Sequence, residues 1–181
     1  NDGSVITWND AFSGGDSSDV SYQLQGGIID ISSTASAFAA LKEDGSVVTW
    51  GNIFAGGNSS FVSHQLQTGV SQIYSNEYAF AALKENGSVV TWGYSYLGGE
   101  NGGNSNSVSS EIQSGVVKIF ATDSAFAALK EDGSVVTWGS DANGGNSSDV
   151  RSLIASNVSH IFTTGKAFAA LKDDGSVVTW G

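Results

Sequence analysis

One phrase recurs along this chain, and its spacing constrains the fold more than any other feature. The phrase is Ala-Phe-Ala-Ala-Leu-Lys, two polar residues, then Gly-Ser-Val-Val-Thr-Trp-Gly, and it begins at Ala37, Ala79, Ala125 and Ala167. A partial copy occupies residues 2–8, and successive tryptophans lie 42, 42, 46 and 42 residues apart. A fixed period of this length is typical of architectures built from stacked repeats.

The spacing predicts one repeat domain with regular boundaries. A partial repeat at 1–8 is followed by repeats at 9–50, 51–92, 93–138 and 139–181. The four extra residues of the third full repeat fall around residues 97–106, which are rich in Gly, Asn and Ser and indicate a loop. We expect these units to be a slice of a longer array.

Each repeat carries the signals of a three-stranded meander. Residues 88–92 are β-branched and aromatic, which favours a strand, and Asn86-Gly87 before them is a strong hairpin signal. The hairpin makes residues 79–84 its other strand, because about six residues cannot hold a helix alone despite their helical propensity. Residues 70–74 supply a third strand.

A short helical segment is predicted ahead of each meander. Val62 and Leu66 are four residues apart, with Ser59 and Ser60 in front and Gly69 behind. Serine is a favoured helix N-cap, and glycine or asparagine favours the left-handed conformation that follows a helix. The other repeats have the same pattern, so each connection should contain one or two helical turns.

A unit of this size cannot bury both faces of its own sheet, so neighbouring units must stack. The repeated Trp, Phe, Val and Ile would lie between sheets, and the alanines would permit close approach. The predicted fold is therefore all-β, with tandem three-stranded blades and short helical connecting turns. Radial stacking gives a β-propeller or part of one, and linear stacking gives an open stack.

The repeated phrase, followed by a Gly-Gly step and Ser-Gly-Val-x-x-Ile, resembles the RCC1-type repeat. The resemblance implies β-propeller blades, commonly seven to a ring, and is greatest for short bacterial versions in a secreted β-lactamase inhibitor protein and in large surface proteins. The family's Gly-x-x-His is absent here, since Thr34 and Ala37 occupy those positions in the first full repeat. Nucleotide exchange and inhibitor contacts therefore do not carry over.

Charge and composition narrow the possible functions. The chain has 18 acidic and 7 basic residues, a net charge of −11, and no cysteine. An acidic surface repels nucleic acid and anionic membranes, and no stretch of about 18 apolar residues predicts membrane insertion. No Gly-x-Ser-x-Gly elbow with histidine and acid partners is present, and the acidic pairs lie at hairpin tips. The sequence predicts no enzyme.

Metal binding is the one cofactor question that the sequence raises. Asp16, Asp19, Asp141 and Asp149 supply oxygens in short loops, the ligand type that calcium prefers. None of these loops matches a known calcium motif, and Asn58 replaces Asp16 in the next repeat. We expect solvated turns and no cofactor, with calcium as the alternative.

Two functional hypotheses follow. The first is a structural or adhesive repeat region of a large secreted bacterial surface protein, extracellular or on the cell surface, whose partners are other copies of the repeat or itself. The second is a protein-binding propeller that takes a protein or cell-surface partner on its loop rim. Aromatics outside the periodic core mark such a rim. The candidates are Phe12, Phe54, Tyr94 and Tyr96.

Overall fold

A computed structural model of the protein describes residues 2–94 and 101–181. The strands of these residues form four three-stranded antiparallel sheets, which we call blades 1 to 4 in chain order. Within each blade the strands are ordered as they occur in the chain, so each blade is a meander. The strands are β1 (Ile28–Ser33), β2 (Ala37–Lys42), β3 (Val47–Gly51), β4 (Val70–Ser75), β5 (Ala79–Lys84), β6 (Val89–Gly93), β7 (Val116–Ala121), β8 (Ala125–Lys130), β9 (Val135–Gly139), β10 (Val158–Thr163), β11 (Phe168–Lys172) and β12 (Val177–Trp180).

The meander prediction is confirmed, including the strand state of the Ala-Phe-Ala-Ala-Leu-Lys segments. In blade 2, Phe80 lies opposite Trp92 across the hairpin, and their rings stack 5.2 Å apart. The same pair stacks at 5.3–5.4 Å in the other blades. The turn residue Gly87 has φ +75°, as the hairpin signal requires. Tertiary pairing thus overrides the helical propensity of the alanines.

The connecting segments contain short 3₁₀ helices where helical turns were predicted. The expected capping by serine is wrong. Ser59 occupies the N-cap position but makes no capping bond, and its hydroxyl lies 3.0 Å from that of Thr49 on β3. Asn58 supplies the turn bond instead, since its side-chain oxygen accepts the Ser60 N–H at 2.9 Å. The helices are Ala11–Ser13, Ser18–Leu24, Ile53–Ala55, Ser60–Gln65, Asn106–Val108, Asp141–Asn143 and Ser148–Val150.

The blades stack through complementary faces. Ala39 and Leu41 of blade 1 belong to one buried cluster with Phe80 and Trp92 of blade 2. Equivalent clusters join blade 2 to blade 3 and blade 3 to blade 4. The predicted burial of the repeated tryptophans is confirmed for the four full repeats, whereas Trp8 of the partial repeat is exposed. Dense apolar packing between blades is the main source of stability.

A backbone ladder also joins the blades. The Ala35 N–H donates to the Glu77 carbonyl, the Glu77 N–H to the Asp123 carbonyl, and the Asp123 N–H to the Gly165 carbonyl, at 2.9–3.1 Å. These residues lie in the loops between the first and second strands, so the ladder fixes those loops at one edge of the stack. No helix within the described residues is long and apolar enough to cross a membrane.

Candidate interaction rim

One edge of the stack gathers two kinds of loop, and we call this edge the rim. It consists of the 3₁₀ turns Ala11–Ser13, Ile53–Ala55 and Asp141–Asn143, and of the loops between first and second strands. Side-chain bonds hold the two kinds of loop together. The Thr34 hydroxyl donates to the Ala55 carbonyl and the Thr122 hydroxyl to the Asn143 carbonyl, both at 2.9 Å.

Phe12 and Phe54 occupy equivalent positions on neighbouring rim turns. The side-chain oxygen of Asn52 accepts the Phe54 N–H at 2.8 Å, and Asp10 accepts the Phe12 N–H at 3.4 Å. These bonds fix the backbone of each turn and leave the rings in solvent. Phe12 is 83 % exposed and Phe54 is 64 % exposed. The structure therefore places these two predicted binding residues on one edge rather than between blades.

A glycine ends each of these turns because an aromatic ring lies directly against it. Gly56 has φ +96°, and a Cβ built on it would lie 2.6 Å from a ring carbon of Phe80. The Gly56 carbonyl accepts the indole N–H of Trp92 at 3.1 Å. Each rim turn is thereby attached to the Phe–Trp stack below it, which makes the rim rigid.

The same contact corrects the alignment of the third full repeat. The equivalent of Gly56 there is Gly102, whose carbonyl accepts the indole N–H of Trp138 at 3.1 Å. At the distance from the preceding tryptophan that the other repeats have, the sequence carries Gly98-Gly99 instead. That pair lies outside the described residues.

The structure describes only one of the two predicted binding tyrosines. Tyr94 directly follows β6 and is half-buried, and its N–H donates to the Tyr78 carbonyl at 3.0 Å. Tyr94 therefore lies at the rim. Tyr96 lies outside the described residues. Tyr78 belongs to a rim loop and is exposed, although it was not among the predicted binding residues. Its signal is the same one, an aromatic outside the repeated pattern.

Acidic groups surround Tyr78. A hydrogen bond to the Glu77 carboxylate raises the pKa of the Tyr78 phenol, and the negative charges of Glu77 and Asp123 raise it further. The Glu77 N–H donates to the Asp123 carbonyl at 3.1 Å, and Tyr78 directly follows Glu77, so the three residues are neighbours on the rim. This part of the rim combines an aromatic ring with negative charge.

The residues that position the rim were missed by sequence reasoning. Asn76 and Thr122 are buried, and the side chain of each accepts a backbone N–H at the start of the following strand. The Asn76 side-chain amide also donates to the carbonyl of Asn101, the residue before Gly102, at 2.9 Å. The Thr122 hydroxyl donates to the Asn143 carbonyl of a rim turn, also at 2.9 Å. The signal was available, since Thr or Asn occupies this position in all four full repeats.

The structure does not bring the calcium candidates together in one site. Within residues 2–94 and 101–181, no group of three or more His, Asp, Glu or Cys side chains is placed so that it could hold a metal ion. Asp19, Asp141 and Asp149 are exposed. The Asp16 carboxylate accepts the Ser18 N–H at 2.9 Å, which lowers its pKa. Asn58 makes the same bond without a charge, so turn chemistry explains that position.

The hairpin tips are also explained by turn chemistry. Three exposed aspartates each accept the hydroxyl and the N–H of the serine two residues later, and these bonds lower the pKa of each carboxyl. Asn86 makes the same two bonds in blade 2. A general acid needs a raised pKa, so these groups are poor candidates for acid–base catalysis. We call them the hairpin-tip aspartates: Asp44, Asp132 and Asp174.

Comparison with solved structures decides the fold type. The chain aligns over 85 % of its length with yeast RCC1 (Prp20) bound to Kap60, at 21 % identity and a TM-score of 0.58. The chain has an RCC1-like repeat fold. Prp20p from Saccharomyces cerevisiae, described with its binding to Gsp1p and histones, gives 20 % identity over 85 % and a TM-score of 0.58. The ectodomain of the Physcomitrella patens receptor kinase CR4 gives 15 % identity over 85 % and a TM-score of 0.53.

The similarity covers only part of those proteins. The aligned region spans 43 %, 44 % and 41 % of the three chains, so this RCC1-like chain corresponds to less than half of each. No protein-family model matches the sequence. No curated protein matches it either.

Proposed function

We propose that this RCC1-like chain is a non-catalytic protein-binding module that takes its partner on the rim. The exposure of Phe12 and Phe54 on one edge of neighbouring blades carries the proposal. Large aromatic side chains dominate the energetics of protein interfaces. A rim held by side-chain and indole hydrogen bonds loses little entropy on binding, which favours affinity.

The charge of the rim indicates the chemistry of the partner. Asp10, Glu77 and Asp123 lie on or beside the rim turns, and the chain carries a net charge of −11. Complementary charge steers association and excludes wrong partners. The partner we propose is a protein whose contact surface combines apolar pockets for the two phenylalanines with basic side chains.

The relatives of known structure support a protein partner. Yeast RCC1 (Prp20) was crystallised with Kap60, and Prp20p is described with binding to Gsp1p and histones. The proposal takes from them only the class of partner, since this chain matches less than half of each.

A second candidate is a structural or adhesive repeat region of a secreted bacterial surface protein. The repeated face-to-face packing of the blades supports it, because an array of repeats is built from such contacts. The rim favours the binding module, however. A purely structural role gives no reason to hold Phe12 and Phe54 in solvent.

Photo-crosslinking tests the rim directly. A benzophenone amino acid replaces Phe54 in one preparation and Phe61 in another, and each is irradiated in extract from the source organism. Phe61 is a matched control, since it is exposed on a connecting 3₁₀ helix and lies off the rim. We expect a protein crosslinked from position 54 and not from position 61, which mass spectrometry then identifies.

Binding of that purified partner is then measured by calorimetry. Phe12→Ala and Phe54→Ala should each weaken binding about tenfold or more, as truncation of an aromatic hot spot does. Phe61→Ala should leave the affinity unchanged. Equal crosslinking from both positions, or full affinity in the rim variants, would refute the proposal.

A further inference from the structure

The third strand of each blade is an edge strand. In blade 1, β3 pairs with β2 on one side only, and β1 lies beyond β2. A strand at the edge of a sheet leaves alternate N–H and C=O groups without a sheet partner. Such groups can pair with an extended segment of another protein. The edge of β3 is available for this wherever its own chain does not cover it.

The bonds at the two ends of β3 show which of its backbone groups face outward. The Lys42 N–H donates to the Ser46 carbonyl at 2.9 Å. The Asn52 N–H donates to the Ser36 carbonyl at 2.8 Å. The pairing of β2 with β3 between these bonds has no bulge, so bonded and unbonded pairs alternate along it. Counted from either bond, Thr49 belongs to an unbonded pair, and its N–H and C=O therefore point away from β2.

These two groups of Thr49 have no partner in the described part of the chain. The Val47 N–H also faces outward and donates to the Leu66 carbonyl at 2.9 Å, so the connecting segment covers that end of the edge. Neither the N–H nor the C=O of Thr49 forms a hydrogen bond within residues 2–94 and 101–181. An open donor and an open acceptor on one residue are what an added antiparallel strand pairs with.

The open edge forms the floor of a groove. A cavity of about 630 Å³ is lined by every residue of β3 and by the connecting segments on both sides of blade 1. Asp16 and Asp19 belong to the wall that precedes the blade, and Asn58 and Ser63 belong to the wall that follows it. The two walls leave the edge of β3 accessible between them.

The groove continues towards the hairpin tip of blade 1. A second cavity of about 340 Å³ shares Gln23, Val47 and Ser59 with the first and extends to Asp44 and Ser46. The two cavities together follow β3 along its length. An extended chain rises about 3.3 Å per residue, so a groove along one short strand and its turn suits a peptide of roughly six residues.

The charge of the groove indicates which peptide it takes. Its lining includes the carboxylates of Asp16, Asp19 and Asp44, and it contains no lysine, arginine or histidine. Hydrogen bonds from Ser18 to Asp16 and from Ser46 to Asp44 lower the pKa of these two carboxyls, which keeps both charged at neutral pH. Negative charge without a positive neighbour attracts basic side chains.

The equivalent edges of blades 2 and 3 lack this combination. The cavity beside Thr91 in blade 2 is about 300 Å³, and no carboxylate lines it. Thr137 of blade 3 is buried, and its hydroxyl donates to the Gly145 carbonyl at 3.0 Å. Thr49 is half-buried. Among these three edges, that of blade 1 is both accessible and acidic.

We propose that an extended basic segment of a partner protein binds along β3 as an added strand of blade 1. The backbone of the segment pairs with the N–H and C=O of Thr49, and alternate side chains carry positive charge to the acidic wall. Phe12 and Phe54 do not line this groove, so the site is separate from the rim.

A capped six-residue peptide that alternates lysine and threonine is the probe. Calorimetry with the full chain should give a dissociation constant tighter than about 1 mM, and the same peptide with glutamate for lysine should not bind. N-methylation of alternate amides keeps the charges but removes donors. Methylating the set of amides that faces β3 should weaken binding about tenfold or more, and methylating the other set should not. No binding of the lysine–threonine peptide, or equal binding of both methylated forms, would overturn the proposal.

Two charge-matched double variants test the position of the site. Asp16→Asn with Asp44→Asn removes two carboxylates from the groove and keeps its turns, because asparagines at the equivalent positions of the next repeat make the same turn bonds. Asp132→Asn with Asp174→Asn removes the same charge from the hairpin tips of blades 3 and 4. The first pair should weaken peptide binding about threefold or more, and the second should leave it unchanged. Equal losses would refute the groove as the site.

Amide hydrogen exchange followed by NMR reports on the pairing itself. Binding of the lysine–threonine peptide should slow exchange of the Thr49 N–H and leave that of Thr137 unchanged. Unaltered exchange at Thr49 in the saturated complex would contradict strand addition. Phe54→Ala should bind this peptide as the unmodified chain does, so a failure here is distinguishable from a failure of the rim proposal.

Discussion

Replacing Gly56 by alanine will test whether the rim turns are fixed by the Phe–Trp stack beneath them. Two separate penalties act at this position. Gly56 has φ +96°, in the left-handed region that side chains disfavour. The added Cβ would also lie 2.6 Å from one ring carbon of Phe80 and 2.7 Å from another, and Phe80 is fully buried and cannot swing away.

The two penalties have different sizes and can be added. A left-handed backbone costs a residue with a Cβ roughly 1–2 kcal/mol. Overpacking of a well-packed core costs roughly 1–3 kcal/mol. We therefore expect Gly56→Ala to lower the free energy of unfolding by about 2–5 kcal/mol.

Gly69 supplies the control that separates the two costs. It has φ +72°, but a Cβ there would meet only the flexible end of Lys84 at 3.6 Å. Gly69→Ala should therefore cost only the backbone penalty, about 1–2 kcal/mol. Urea unfolding followed by circular dichroism measures both variants. If Gly56→Ala costs no more than Gly69→Ala, the ring contact does not constrain the turn and the reasoning fails.

Two further predictions concern polar groups. Thr122→Val should lower the free energy of unfolding by about 1–3 kcal/mol, because it leaves a buried N–H and a carbonyl unpaired. Thr164 occupies the equivalent position in blade 4 and is exposed, so Thr164→Val should lower the free energy of unfolding by less in the same urea experiment. Equal losses of stability would contradict this interpretation. The hairpin-tip aspartates have pKa values below the usual 3.8, so their stabilisation is complete above that pH and is lost as the pH falls through the lowered values. Their joint replacement by asparagine should make the thermal midpoint depend less on acid pH, whereas an unchanged pH profile would show that these bonds do not contribute.

The repeat unit was predictable because its signals are local. Asn86-Gly87 fixes a hairpin through the backbone angles its residues allow, and the apolar residues beside it fix which strands pair. That is why the blades, their strand order and the all-β class follow from sequence. Comparison with solved structures then supports the RCC1-like type of repeat.

Part of the candidate site could also be found from sequence. Phe12 and Phe54 stand out because they break the repeated pattern, and the structure leaves both in solvent. Tyr78 shows the limit of that signal, because its acidic neighbour Asp123 comes from the next blade and no local pattern links the two.

The serines of the connecting segments show why local rules fail where the chain packs on itself. Ser59 has the right type and place for a helix cap, yet its hydroxyl bonds to Thr49 on a neighbouring strand. Gly102 likewise takes its role from Trp138, which lies 36 residues further on. Such partners are set by distance in space and not by distance along the chain.

The sequence by itself determined the repeating unit, its hairpins and the pairing of its strands, because backbone angles and alternating burial are properties of neighbouring residues. Only the tertiary structure decided which aromatic rings are covered. Trp50 and Trp8 occupy the same place in the repeat, yet Trp50 is buried beneath a neighbouring turn while Trp8 is exposed. The difference arises because Trp50 stacks on Phe38 of its own blade, whereas no second strand pairs beside Trp8 in the part of the chain that the structure describes.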